Sequence, residues 1–182
     1  MFSLIKEHHA VATSVFKCGD YRTVTYYPFD IVPEYWDWLV YQGSLQNLKV
    51  PVEIYTEING ANQDKKYHDE LAKWARTEDV KSNLMLDEEL DYGLVNTVIT
   101  QGYVASPTEA DLLKMGRDPF LIAYALTDPQ NITVVTTEAS KPTKKGANRH
   151  VPDVCKHFGV QCCNTFSLVR SLGFSTNWKK SV

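Results

Sequence analysis

Asn131-Ile132-Thr133-Val134-Val135-Thr136-Thr137, followed at once by Glu138, decides the fold class of this chain. The run is rich in β-branched residues, and its apolar positions do not alternate with polar ones. A strand with one wet face alternates; a strand covered on both faces has no need to. The stretch therefore reads as a central strand of a parallel sheet with helices packed on both sides.

The flanking sequence supports this on both sides. Downstream, Ala139–His150 is a polar loop, and Pro152–Phe158 reads as a helix stopped by Gly159. Val160–Cys163 reads as a strand and Thr165–Leu172 as a closing helix. Upstream, Asp118–Leu126 is apolar almost all round, which marks a helix buried at the centre of the fold. Thr108–Met115 carries Thr108 as a helix N-cap, with Asp111 three residues on to complete a capping box. Asp87–Gln101 repeats Leu90, Leu94 and Val98 at helical spacing, and Asp64–Arg76 does the same with Tyr67, Leu71 and Trp74.

Pro51–Ile58 and the segment from Pro33 each open on a proline with an acid in the first turn, so both read as helices. The second is expected to stop at Gly43. His9–Ser14 is the first strand candidate. Helices alternating with strands are the rhythm of an α/β protein whose parallel strands are joined by crossover helices.

Composition narrows the function classes. The 182 residues include 19 Lys+Arg and 22 Asp+Glu, a formal net charge of −3. That length suits one domain, taken here as residues 1–182. The acidic balance argues against holding nucleic acid by bulk charge alone, but not against a local basic patch. No stretch approaches the ~18 apolar residues of a membrane span. Lys6, Glu7, His8 and His9 interrupt the N-terminal apolar run, so no signal peptide is expected there. Cys18, Cys155, Cys162 and Cys163 form no CxxC pair and read as reduced thiols of a cytoplasmic protein.

In open α/β sheets, sites gather outside the carboxyl ends of the strands. Three acids stand at the ends of expected elements. Glu138 follows the strongest strand, and Asp118 opens the buried helix, where it also complements the helix dipole. Glu57 sits near the end of a short helix, where the dipole disfavours it and a cation would suit it. A set of oxygen ligands points to Mg²⁺ or Mn²⁺. Spacing alone leaves a chance arrangement open.

A wider pattern gives these acids a context. Tyr26-Tyr27-Pro28-Phe29-Asp30-Ile31-Val32-Pro33 with Trp36-Asp37-Trp38-Leu39, Val52–Ile58, Asp118–Leu126, and Val134–Glu138 with Val151–Cys155 and Phe158-Gly159-Val160 occur in that order. In these segments, over roughly residues 10–173, the chain resembles the PIN-domain family. The likeness is closer to a PIN-like branch catalogued as a domain of unknown function. It implies a three-layer α/β/α sandwich with a central parallel sheet. It also implies a Mg²⁺- or Mn²⁺-dependent endoribonuclease, many bacterial members being toxins of toxin–antitoxin pairs. Glu57, Asp118 and Glu138 match three of the family's metal-binding acids, and Ser14 matches a hydroxyl beside the metal, or else stabilises the turn.

The first acid of that pattern is missing. The family carries Asp-Thr-Ser or Asp-Thr-Asn after its first strand, whereas this chain reads Ala12-Thr13-Ser14. An inactivating Asp→Ala change and a naturally degenerate copy both produce this; the intact neighbours favour the first. In either case the chain as it stands is expected to be inactive, and its Ala12→Asp form to cut RNA.

Other features carry a bland reading beside a functional one. Lys141, Lys144, Lys145, Arg149 and His150 lie in a stretch without acids, so Lys144, Lys145 and Arg149 are candidate RNA contacts, or else a solvated loop. Tyr26 and Tyr27 suit base stacking, as do Trp36 and Trp38, although Trp36 reads as core. Asp153 reads as a helix-dipole partner, and His8 and His9 as strand-edge residues. The Asn177–Lys180 tail has no assigned purpose. The partners implied are an RNA substrate, a cognate antitoxin and a second copy of the chain, with no membrane. The competing function is a non-catalytic PIN-like protein that binds RNA or a protein partner. A flap-type DNA nuclease ranks last, because the chain is short for DNA-clamping elements.

Overall fold

The computed structural model describes residues 9–12, 26–58 and 69–180. It is a mixed α/β structure with short parallel strands. In chain order the elements are β1 (His9–Ala12), α1 (Pro33–Ser44), β2 (Leu48–Pro51), α2 (Val52–Ile58), α3 (Asp69–Ala75), α4 (Glu78–Leu84), β3 (Met85–Leu86) and α5 (Tyr92–Thr97). Then come α6 (Glu109–Met115), α7 (Asp118–Leu126), β4 (Ile132–Val135), α8 (Val151–Phe158), β5 (Gln161–Cys163) and α9 (Thr165–Ser171).

The five strands among the described residues lie in the order β3-β2-β1-β4-β5, and each pairing between them is parallel. The chain builds outward from β1 to β3, then returns to lay β4 on the other side of β1. The order therefore reverses between β1 and β4, which is where open parallel sheets place their sites. In this register Ala12 pairs with Val135.

The unalternating run of β4 has the expected consequence. Val134 and Val135 are both fully buried and belong to different apolar clusters. Neighbours on a strand point to opposite faces, so both faces of β4 are covered. One cluster holds Tyr35, Trp36, Trp38 and Leu39 of α1 with Val50 and Leu84. The other holds Leu121–Ala125 of α7 with Val98, Val154 and Cys155. Cys162 and Cys163 divide between the clusters in the same way. Cys155, Cys162 and Cys163 are free thiols. Leu121 and Ile122 are fully buried, each contributing about 1.5–3 kcal/mol of apolar burial.

Several elements differ from the sequence-based expectation. Pro51 does not open a helix; it ends β2, and α2 starts at Val52. The strand Leu48–Pro51 contains Lys49, whose Nζ donates to the Asn83 carbonyl at 2.7 Å, so a buried strand carries a charge in its pattern. Helix α4 and strand β3 are additional to the elements that the sequence pattern predicts.

Gly43 lies inside α1 rather than ending it. A Cβ there would meet the Asn83 carbonyl oxygen at 2.7 Å, so close packing of α4 explains the glycine. The helix expected from Asp87 begins at Tyr92, because the Asp91 carboxylate caps it by accepting from the Gly93 and Leu94 N–H groups. It then widens into a π-helix over Val98–Tyr103. The Thr108–Asp111 capping box is present, and Gly159 ends α8 at φ 70°.

The described strand β1 stops at Ala12; Thr13 and Ser14 lie outside the described residues, as do His8 and the start of the helix expected from Asp64. The C-terminal tail docks on α1. Trp178 Nε1 donates to the Glu34 carbonyl at 3.0 Å, and Lys179 pairs with Asp37 at 2.7 Å. No helix among the described residues is long and apolar enough to cross a membrane.

Candidate active site

The chain turns beyond the carboxyl end of β4, next to the end of β1. Thr136 continues β4 and is buried, and its hydroxyl accepts from the Glu138 N–H at 3.1 Å, which turns the chain sharply. Glu138 then reaches across to α8, where its Oε2 accepts from the Val151 N–H at 2.9 Å. His150 Nδ1 lies 4.0 Å from the same oxygen and 2.8 Å from the Ala139 carbonyl.

Asp118, in the first turn of α7, lines the same pocket of about 300 Å³ as Glu138. Tyr103, Lys114, Lys141, Lys144, Arg149 and His150 share that pocket. Two acids thus face a rim of cations, an arrangement suited to a ligand that carries negative charge and can share a cation with carboxylates.

Tyr103 ends the π-helix and is buried at the back of the pocket, and its hydroxyl has no hydrogen-bond partner among the described residues. Burial pushes the phenol well above its ordinary range. Asp118, Cys155 and Glu138 push in the same direction, and Arg149 opposes them. A π-turn in a helix is common at functional sites. It also breaks the 3.6-residue period, so spacing along the sequence gave no sign of Tyr103.

Glu57 is not brought into this pocket. It lies 3.8 Å from Arg117 Nε and lines a neighbouring groove with Ile99, Leu112 and Phe120. Among the described residues, no group of three or more His, Cys, Asp or Glu side chains is placed to hold a metal. Ala12 stands at the end of β1, level with Val135. Ser14 lies outside the described residues.

The basic segment divides by role. Lys144 lines the pocket and Lys145 is exposed beside it. Arg149 donates to the Gly102 carbonyl and, at 2.9 Å, to the Asp153 carbonyl, so it joins the π-helix to α8. Asp153 accepts from Ser140 Oγ at 2.5 Å and from the Lys141 N–H at 2.7 Å. Its partial burial raises its pKa, but those hydrogen bonds outweigh the effect and hold it below the usual carboxylate value. Asp153 is thus an anchor for the 139–145 loop as well as an acid in a first helical turn.

The aromatic expectations divide too. Trp36 and Trp38 are core. Tyr27 stacks on Tyr35 with ring centroids 4.0 Å apart. Tyr26 is exposed and meets Phe166 edge to face.

A family model described as Domain of unknown function (DUF4411) matches residues 13–176. The chain belongs to this family. The DUF4411 match takes in Glu57, Asp118, Glu138 and the whole 139–150 loop, and it begins one residue after Ala12. No curated protein and no solved structure matches the chain.

Proposed function

We propose that this DUF4411 protein is a PIN-type, Mg²⁺- or Mn²⁺-dependent endoribonuclease with Ala12 in place of its first acid, and that this chain is inactive for that reason. One observation carries the reading. Position 12 ends β1 at the reversal of strand order, paired with Val135, three residues before the Glu138 that shares a cation-rimmed pocket with Asp118. The parallel order, with both faces of β4 covered, fits the three-layer α/β/α arrangement of that family.

The donor set fits the metal class. Mg²⁺ is commonly held by one or two carboxylates plus substrate phosphate and water, and Asp118 and Glu138 are the residues that would hold it here. When bound, it supplies an activated water and neutralises charge on the phosphodiester. The chain's own residues do the rest. Lys141 and Lys144 attract and orient the phosphates. The Val151 N–H keeps Glu138 aimed. Asp118 gains from the N-terminal end of α7.

In this reading the protein is the toxin of a two-gene module, acts in the cytoplasm on RNA, is restrained by an antitoxin and assembles as a homodimer. If Ala12 is the natural residue, it favours a second reading, a protein that binds RNA or a partner without cutting.

RNA cleavage by the Ala12→Asp protein tests both. Cleavage is expected with Mg²⁺ or Mn²⁺ and none with EDTA, while the unmodified chain stays silent. Intact RNA in every metal would leave the binding reading.

A further inference from the structure

We infer that the pocket between Tyr26 and Phe166 receives one unpaired nucleobase of an RNA strand whose phosphates pass over Lys141 and Lys144. The inference rests on the nucleic-acid reading above and adds to it the form of the substrate. It requires a single-stranded segment with a base turned away from its neighbours.

Four observations meet at this pocket. Tyr26 and Phe166 are among the exposed large hydrophobic side chains, at 57% and 44% of their surface. Their ring centroids are 5.3 Å apart at 63°. In such an edge-to-face pair, the ring that offers its edge keeps both faces off its partner, so an aromatic face remains for a planar guest. Asn164 is exposed in the same lining. Finally, Glu138 lines both this pocket and the cation-rimmed one, so the two are neighbours across a single side chain.

The chemistry of the occupant follows from these features. The pocket is about 230 Å³, below the ~300–1,000 Å³ of sites that enclose a whole drug-sized ligand. It therefore suits a flat one- or two-ring group. An exposed asparagine amide both donates and accepts, so Asn164 can meet the polar edge of any of the four bases. Aromatic faces beside a track of lysines are how single strands are held without strong sequence preference. The aromatic slot takes the base and the lysines take the backbone, which puts the intervening phosphodiester beside Glu138.

The unmodified chain is suited to the test, because binding can be measured without cleavage. Fluorescence anisotropy would follow a labelled single-stranded RNA oligonucleotide and an abasic oligonucleotide with the same backbone. Phe166→Ala is expected to weaken RNA binding about tenfold or more and to leave abasic binding unchanged. Phe166→Trp should restore RNA affinity. Lys144→Ala should instead weaken both oligonucleotides and lower the salt dependence by about one phosphate contact, a change that Phe166→Ala should not make.

Phe166 is partly exposed, and circular dichroism would verify that each variant is folded. If the parent binds RNA and Phe166→Ala binds it equally well, the base pocket is refuted and the nuclease reading stands. If the parent binds no RNA and Ala12→Asp cuts none, both fall.

Discussion

The Glu138 carboxylate accepts a hydrogen bond from the Val151 N–H at 2.9 Å, tying the turn after β4 to the start of α8. Val151 is buried, so its N–H has little access to water as a substitute. Glu138→Ala should lower stability by about 1–3 kcal/mol, the cost of an unpaired buried donor. Glu138→Gln keeps a carbonyl acceptor and should cost less. In the Ala12→Asp background both should abolish RNA cleavage. Urea titrations and cleavage assays on the pair separate the fold's use of this carboxylate from the chemistry's.

Tyr103→Phe removes a buried hydroxyl that has no partner among the described residues. Replacing an unsatisfied polar group with its apolar equivalent is neutral or stabilising, so the variant should match or exceed the parent by up to about 1 kcal/mol. A clear loss in the denaturation midpoint would show that the hydroxyl is paired in solution.

Gly43→Ala should destabilise, against the usual trend. Inside a helix, Gly→Ala ordinarily gains about 1 kcal/mol. Here the added Cβ would lie 2.7 Å from the Asn83 carbonyl oxygen and 2.7 Å from Leu84 Cδ2. Backbone cannot move aside as a side chain can, so overpacking of about 1–3 kcal/mol should outweigh the helix gain. A thermal melt that rises would contradict this packing.

Lys144→Ala and Arg149→Ala should separate two kinds of basic residue. Lys144 is exposed and lines the pocket, so its loss should reduce RNA affinity with no change in melting temperature. Arg149 bonds two backbone carbonyls, and its loss should lower the melting temperature as well.

Asp153 predicts an acid-sensitive loop. Its folded pKa is lowered, so the stability it contributes is present above its unfolded value of about 3.9 and is lost as pH falls through the folded value. Hydrogen exchange of the 139–145 loop should rise in acid. Asp153→Asn should make that exchange fast already at neutral pH and remove the acid dependence.

What the sequence revealed, and what it hid, follows from the physics of each element. The β-branched run ending at Val135 and the all-round apolar Asp118–Leu126 announced their own burial, because burial on every side leaves no polar stripe. Caps at Thr108 and Gly159 are local chemistry and could be read directly. Strand Leu48–Pro51 could not be, since Lys49 finds its partner on a distant helix. Asp118 and Glu138 were legible as acids at element ends, and the structure puts them in one pocket. Glu57 was legible by the same rule but pairs with Arg117 instead. Tyr103 and Phe166 gave no signal, as the π-turn has no period to detect and a lone aromatic resembles any core residue.

The pairing of Ala12 with Val135 has a consequence in time as well as space. A parallel ladder between β1 and β4 joins the first described strand to one made late in synthesis, and such long-range pairing is slow to form. During translation, position 12 emerges from the ribosome far ahead of Glu138. Whatever the finished pocket does, the growing chain cannot do it. The site is thus complete only once the last strands are made, however early its first strand leaves the ribosome.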